Sequence, residues 1–150
     1  MLVTEAPLDV ALGVLSGVPE FDPDDGPHGT WAQSARTRLD SHDRLILVAG
    51  EPGALPGGAL IAYDRYQDGS LYCWLAGVVP AARRQGALTA LMTIMKARAA
   101  ERGYRAIRIG TQNRFGGMLT YLVKDGYLIT EVVPAADAWR TRVSLQRPLP

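Results

Sequence analysis

Cysteine is nearly absent. Cys73 is the single one in 150 residues, which excludes an internal disulfide and a cysteine-rich zinc site, and no metal site is expected. No excess of charge exists either: sixteen Lys and Arg stand against fifteen Asp and Glu, a net of +1. That balance argues against a global basic field of the kind that holds nucleic acid. No apolar run reaches the ~18 residues of a membrane helix. Met1-Leu2-Val3-Thr4-Glu5-Ala6-Pro7 lacks the basic start and apolar stretch of a secretory signal, so a cytoplasmic protein without a membrane partner is expected. No segment repeats at a fixed period. What is present, 47% hydrophobic and 21% charged residues, is the balance of a folded chain, and the length suits one domain over 1–150.

The punctuation divides the chain clearly. Leu2-Val3-Thr4 reads as a strand, and Leu8, Ala11, Leu12 and Leu15 mark one helical face behind Pro7. Residues 19–29, rich in Pro, Gly and acids, form a loop. Thr30 and Gln33 suggest a capping box for a second helix with Trp31, Ala35 and Leu39 inward. Strands follow over 44–49 and 59–63, and Asp68-Gly69 turns the chain into a third over 70–79, antiparallel in succession. Leu88, Leu91, Met92, Met95 and Ala99 define a long helix ended by Gly103. A strand over 106–109, a short helix through Phe115, Met118, Leu119 and Leu122, and two last strands complete the order. The expected class is mixed α/β, with a mostly antiparallel twisted sheet and helices on both faces.

The most specific segment is Val78-Val79-Pro80-Ala81-Ala82-Arg83-Arg84-Gln85-Gly86-Ala87-Leu88, between a strand and a helix start. Unpaired N–H groups of a first helical turn, a glycine without Cβ and two arginines suit a pyrophosphate. The segment is neither a Walker A loop nor a dinucleotide fingerprint. A solvated Arg-Arg turn that merely begins a helix is the bland alternative.

This segment resembles the pyrophosphate loop of the GNAT superfamily of N-acyltransferases, Arg/Gln-x-x-Gly-x-Gly/Ala, through Arg83 and Gly86, with Leu88 where the family has a small residue. Thr111-Gln112-Asn113-Arg114-Phe115, followed by Lys124-Asp125-Gly126-Tyr127, is similar to the family's later motif. The element order agrees over nearly the whole chain. The resemblance implies transfer of an acetyl group from acetyl-CoA to a primary amine of a small molecule or peptide. The alternative is a domain that binds acyl-CoA without transferring it. By the same resemblance the cofactor contacts fall on Gly77, Val78, Val79, Arg83, Arg84, Gln85, Gly86, Ala87, Leu88, Thr89 and Asn113, with the Val78 N–H donating to the acyl carbonyl.

A general acid and base are less legible. The family's usual acid position is Leu122 here, and Tyr121 lies about 100° around the helix from it; acid and helix-flank tyrosine both stay open. The family's Glu position corresponds to Tyr72, which is no base at neutral pH. Strand alternation puts Tyr72, Trp74 and Ala76 on one face with Val78. Phe21, Asp64, Tyr72 and Trp74 are the candidate acceptor contacts; Asp64, near the hairpin, is also a candidate base, with a solvated turn residue as its bland reading. Glu20, Asp22, Asp24 and Asp25 either attract a cationic amine or form a solvated loop. His28 reads as a surface residue and Cys73 as strand filler. A nucleic-acid role for Arg98, Arg102, Arg105 and Arg108 is disfavoured by the charge balance. The expected partners are acyl-CoA and an amine acceptor, and a homodimer is left open.

Overall fold

The computed structural model describes residues 1–21 and 31–150, with Trp31 and Ala32 described by their backbone alone. The proposed capping box, His28, and Asp22, Asp24 and Asp25 lie outside the described residues. The strands are β1 (Leu2–Glu5), β2 (Arg44–Gly50), β3 (Gly58–Tyr63), β4 (Ser70–Val78), β5 (Ala106–Gln112), β6 (Leu128–Val133) and β7 (Arg142–Pro148). The helices are α1 (Leu8–Leu15), α2 (Trp31–Leu39), α3 (Ala87–Glu101) and α4 (Gly116–Lys124). One sheet of seven strands runs in the order β1-β2-β3-β4-β5-β7-β6. Every neighbouring pair is antiparallel except β4 and β5.

The sheet is buried on two faces, so its central strands read as apolar runs. Leu45, Leu47 and Ala49 of β2 join Leu91, Met92, Met95 and Ala99 of α3 and Leu122 of α4 in one core. Ile46 and Val48, alternating with them, join Ala11, Val14 and Leu15 of α1 and Leu39 of α2 in the other. The helix faces expected for α1 and α3 are therefore those buried. Helix ends follow local chemistry: Gly103 and Gly126 sit at positive φ after α3 and α4, the left-handed geometry a helix stop favours. Lys96 ties α3 to the end of α4 through Asp125 at 2.7 Å. The Asp68-Gly69 hairpin forms as expected, with Asp68 Oδ1 accepting from the Ser70 N–H at 3.0 Å.

One expectation fails. Ile61 of β3 faces Leu75 of β4, while the next residue, Ala62, faces Cys73. Trp74 is the extra residue of a β-bulge, which resets the alternation. Tyr72 and Trp74 therefore pack with the α1 core, whereas Ala76 and Val78 pack with the α3 core. They do not share a face.

The second consequence concerns β5. Parallel pairing holds only from Ser70–Ala106 to Cys73–Ile109. Beyond it β4 stays with β3 as far as Val78, and β5 stays with β7 as far as Gln112 opposite Arg142. The two strands part, and a cleft opens between them.

Leu91 is fully buried in the α3 core and Val123 of α4 is half exposed. Leu91→Ala is expected to cost about 2–5 kcal/mol in urea unfolding, and Val123→Ala within about 0.5 kcal/mol.

Candidate active site

A cavity of about 1870 Å³ occupies the gap between the strands. Trp74 to Val78 form one wall, and Ile109 to Gln112 the other. The ladder fixes which backbone groups face it. The Val79 N–H donates to the Gly57 carbonyl at 2.8 Å, on the β3 side. Groups of an antiparallel strand alternate in direction, so those of Val78 and Ala76 turn away from β3, toward the cleft. The Val78 carbonyl there accepts from Arg83 Nε at 3.0 Å.

The loop after β4 is fixed by close packing. Gly57 leaves no room for a Cβ, which would overlap that of Ala82 in the single 3-10 turn Pro80–Ala82. The chain then reaches Arg84 at φ +65° and Gly86 at φ +83°. Gly86 is the residue before α3, with no side chain capping the helix. The first bond back to it comes from the Ala90 N–H at 3.0 Å, so the N–H groups of Ala87, Leu88 and Thr89 have no partner within the helix. Together with Arg84, which has no carboxylate partner among the described residues, they form a donor set suited to phosphate oxygens, while the Arg83 charge is answered by Glu20.

The predicted cofactor residues divide accordingly. Gly77 and Val78, Arg83 and Arg84, and Gly86 to Thr89 all line the cavity. Val79, Gln85 and Asn113 do not. Asn113 instead donates through Nδ2 to the Ala138 carbonyl at 3.1 Å, joining the end of β5 to the β6–β7 connection. Leu88 packs partly against the α3 core, which takes up part of its bulk. The α4 entrance adds Phe115 to Met118, and Arg114 stacks at 4.4 Å on the Phe115 ring.

Of the acceptor candidates, Phe21, Tyr72 and Trp74 line the cavity and Asp64 does not. Asp64 Oδ1 lies 2.7 Å from His42 Nδ1, outside the cleft. Tyr121 is also off the cavity wall; its hydroxyl hydrogen-bonds the Thr89 side chain, and burial raises its pKa. Glu20 lines the cavity but pairs with Arg83 at 2.6 Å, and this hydrogen bond lowers its pKa. The wall also holds Arg38, Arg65, Tyr66, Arg108 and Arg142, none of them expected there. A signal existed for two: Arg108 interrupts Ile107 and Ile109, and Arg142 precedes the alternating Val143-Ser144-Leu145. In both, the polar residue faces opposite the core.

The arginines once weighed for nucleic acid are otherwise engaged. Arg98 pairs with Glu101, Arg102 with Asp43 and Glu5, and Arg108 with Asp68. Arg105 donates to the Asp68 carbonyl.

The comparisons agree with this architecture. No protein-family model matches the chain, and no curated protein sequence does. Solved structures do. A GCN5-related N-acetyltransferase from Kribbella flavida superposes with a TM-score of 0.79 at 20% identity, over 99% of this chain and 97% of that one. The chain has the GNAT fold. A ribosomal-protein-S18-alanine N-acetyltransferase from Escherichia coli superposes at 0.76 with 12% identity, covering 99% and 93%. An aminoglycoside 6′-N-acetyltransferase complexed with coenzyme A superposes at 0.74 with 16% identity, covering 99% and 97%.

Cys73, fully buried at the fork, is not a nucleophile here: burial pushes its thiol pKa up to about 12. The folded thiol holds its proton more tightly than the unfolded one, so this contribution to stability is complete below about pH 9 and falls as pH rises above it. Iodoacetamide at pH 8 is expected to leave Cys73 unmodified in the native protein and to label it after urea unfolding, as read by mass spectrometry.

Proposed function

We propose that this chain is an N-acetyltransferase that uses acetyl-CoA as acyl donor and a primary amine of a small molecule or peptide as acceptor. The single observation that carries this is the unpaired edge of β4 ending at Val78 beside the first turn of α3. An extended pantetheine chain needs strand-like backbone partners, and the β4 edge supplies them. A pyrophosphate needs converging N–H groups and a cation, and Gly86 to Thr89 with Arg84 supply those, Arg83 being paired with Glu20. The donor set therefore fits coenzyme A.

Acetyl-CoA supplies an activated acyl group; the protein's part is positioning and electrostatics. The Val78 N–H, held by the β3 ladder, polarises the acyl carbonyl and stabilises negative charge that develops on its oxygen. The acceptor enters from the Tyr72 and Trp74 end. Tyr72 is held protonated, since burial raises its pKa. It donates or orients and does not act as a base. Among the described cavity residues the carboxylates are Glu20, held by Arg83, and Glu131. The attacking amine is accordingly taken in its neutral form; as the C–N bond forms and the C–S bond breaks, CoA leaves as the thiolate and the amine's proton passes through water to that sulfur or to solvent.

A domain that binds CoA without transferring the acyl group is the second reading, favoured by the place of Tyr121 off the cavity wall, with its hydroxyl hydrogen-bonded to the Thr89 side chain. Release of free CoA across an amine panel separates the two: catalysed release supports transfer, and saturable binding without release supports the second reading.

Calorimetry with acetyl-CoA is expected to show saturable binding that Gly86→Asp removes, because a carboxylate at the helix start repels the phosphates. Unchanged affinity in Gly86→Asp would place the phosphates elsewhere. In transfer assays, kcat/KM is expected to rise with pH up to the pKa of each acceptor amine. An inflection at one fixed pH for all amines would reveal an enzyme base.

A further inference from the structure

We infer that the acceptor carries an oxyanion, carboxylate or phosphate, beside its amine, and that Arg38, Arg65 and Arg142 bind it at the Tyr72 end of the cleft. This rests on the acetyl-transfer reading of the same site and names its substrate class.

The arginines converge on one aromatic group. Arg38 lies 4.5 Å over the Trp74 ring, and its Nη1 donates to the Tyr63 hydroxyl at 3.2 Å. Arg65 lies 5.0 Å over the Tyr72 ring. Arg142 donates through Nη2 to the Tyr72 hydroxyl at 3.4 Å and packs against Gly110, where a Cβ would stand 3.0 Å from that nitrogen. Arg108, 4.7 Å over Tyr66, has its charge answered by Asp68 at 2.7 Å. Among the described residues, Arg38, Arg65 and Arg142 have no carboxylate within salt-bridge distance. Against these three cations the described acceptor end sets Glu131, because Glu20 is taken by Arg83.

Two consequences follow for ligand chemistry. Stacking on rings orients a planar guanidinium and leaves its N–H edge for a ligand, the geometry that takes an oxyanion with two donors. The same stacking occupies the aromatic faces that would otherwise attract an ammonium group. A polycationic acceptor would meet repulsion, and an amine bearing an acid group meets complementary charge. The bulge at Trp74 is what makes the arrangement possible. It keeps Tyr72 and Trp74 on the face where β5 and β7 present Arg108, Gly110 and Arg142, while Ala76 and Val78 turn to the other.

The test compares N-acetyl products, which lack a basic amine and so remove its pKa from the comparison. With CoA present, calorimetry would measure N-acetylphenylalanine and N-acetylglutamate against their amides, and N-acetylated phosphoethanolamine against N-acetylethanolamine. At least one acid is expected to bind about tenfold or more tightly than its neutral counterpart. Arg65→Gln and Arg142→Gln, both at exposed positions, are expected to bring that ratio down about tenfold, with thermal melts confirming the fold. The carboxylate and phosphate arms distinguish the two anions. No acid preferred over its neutral counterpart, or a preference untouched in both variants, overturns the inference. Kinetic assays separate it from the broader reading. Efficient transfer to neutral amines or to cadaverine, with no preference for acids, leaves acetyl transfer standing and this inference failed. Tight binding of N-acetyl acids that both variants weaken, with no transfer to any amine, keeps the anion site and overturns the acetyl-transfer reading, and with it the acceptor assignment.

Discussion

The site depends on one local irregularity, the extra residue at Trp74 in β4. Up to Cys73 the strand pairs with β5 and seals the sheet. After the bulge it follows β3 alone, and its outer hydrogen-bonding edge has no protein partner in β5. An unsatisfied strand edge inside a protein is costly unless something pairs with it. Here it faces a cleft, and the groups turned into that cleft are those an extended ligand chain could satisfy. The bulge also redistributes side chains: Tyr72 and Trp74 go to the α1 side, while Ala76 and Val78 go to the α3 side. One inserted residue thus separates the proposed acceptor end from the proposed acyl-carbonyl end.

The two cores hold this opening in place. α3 and α4 clamp β4 and β5 from one face through Leu91, Met95 and Leu122, and α1 holds β2, β3 and β4 from the other. The Gly57 contact with Ala82 anchors the loop that leads from Val78 to Gly86. Positive φ at Arg84 and Gly86 then turns the chain into α3. Left-handed geometry at a non-glycine such as Arg84 costs about 1–2 kcal/mol.

Much of the fold was legible because its signals are periodic or are punctuation. The apolar alternation of residues 45–49, the helical spacing of Leu91, Met92, Met95 and Ala99, and the stops at Gly103 and Gly126 all match the structure. Arg83, Arg84 and Gly86 to Thr89, which line the cavity, were legible as candidates because the pattern that marks them is local. The acceptor end was not. A bulge carries no composition signal, so simple alternation placed Trp74 with Val78. Asp64 read as an acceptor contact from its place at a turn, and its partner His42 lies twenty-two positions away. The arginine cluster joins α2, the β3–β4 loop, β5 and β7, so no short window of sequence contains it. Net charge concealed it too: a total of +1 is compatible with three arginines that line one cavity and have no carboxylate partner among the described residues.

The central claim is that the parted edge of β4 carries the acyl donor. Backbone amide NMR of the protein titrated with acetyl-CoA, and separately with CoA, tests it most directly. The account predicts that both ligands perturb Gly86 to Thr89 and Ala76, and that the Val78 amide shifts further downfield with acetyl-CoA than with CoA, since only the former places a carbonyl oxygen on it. Perturbations confined to other surfaces, or a Val78 amide that does not respond to the acetyl group, would contradict it.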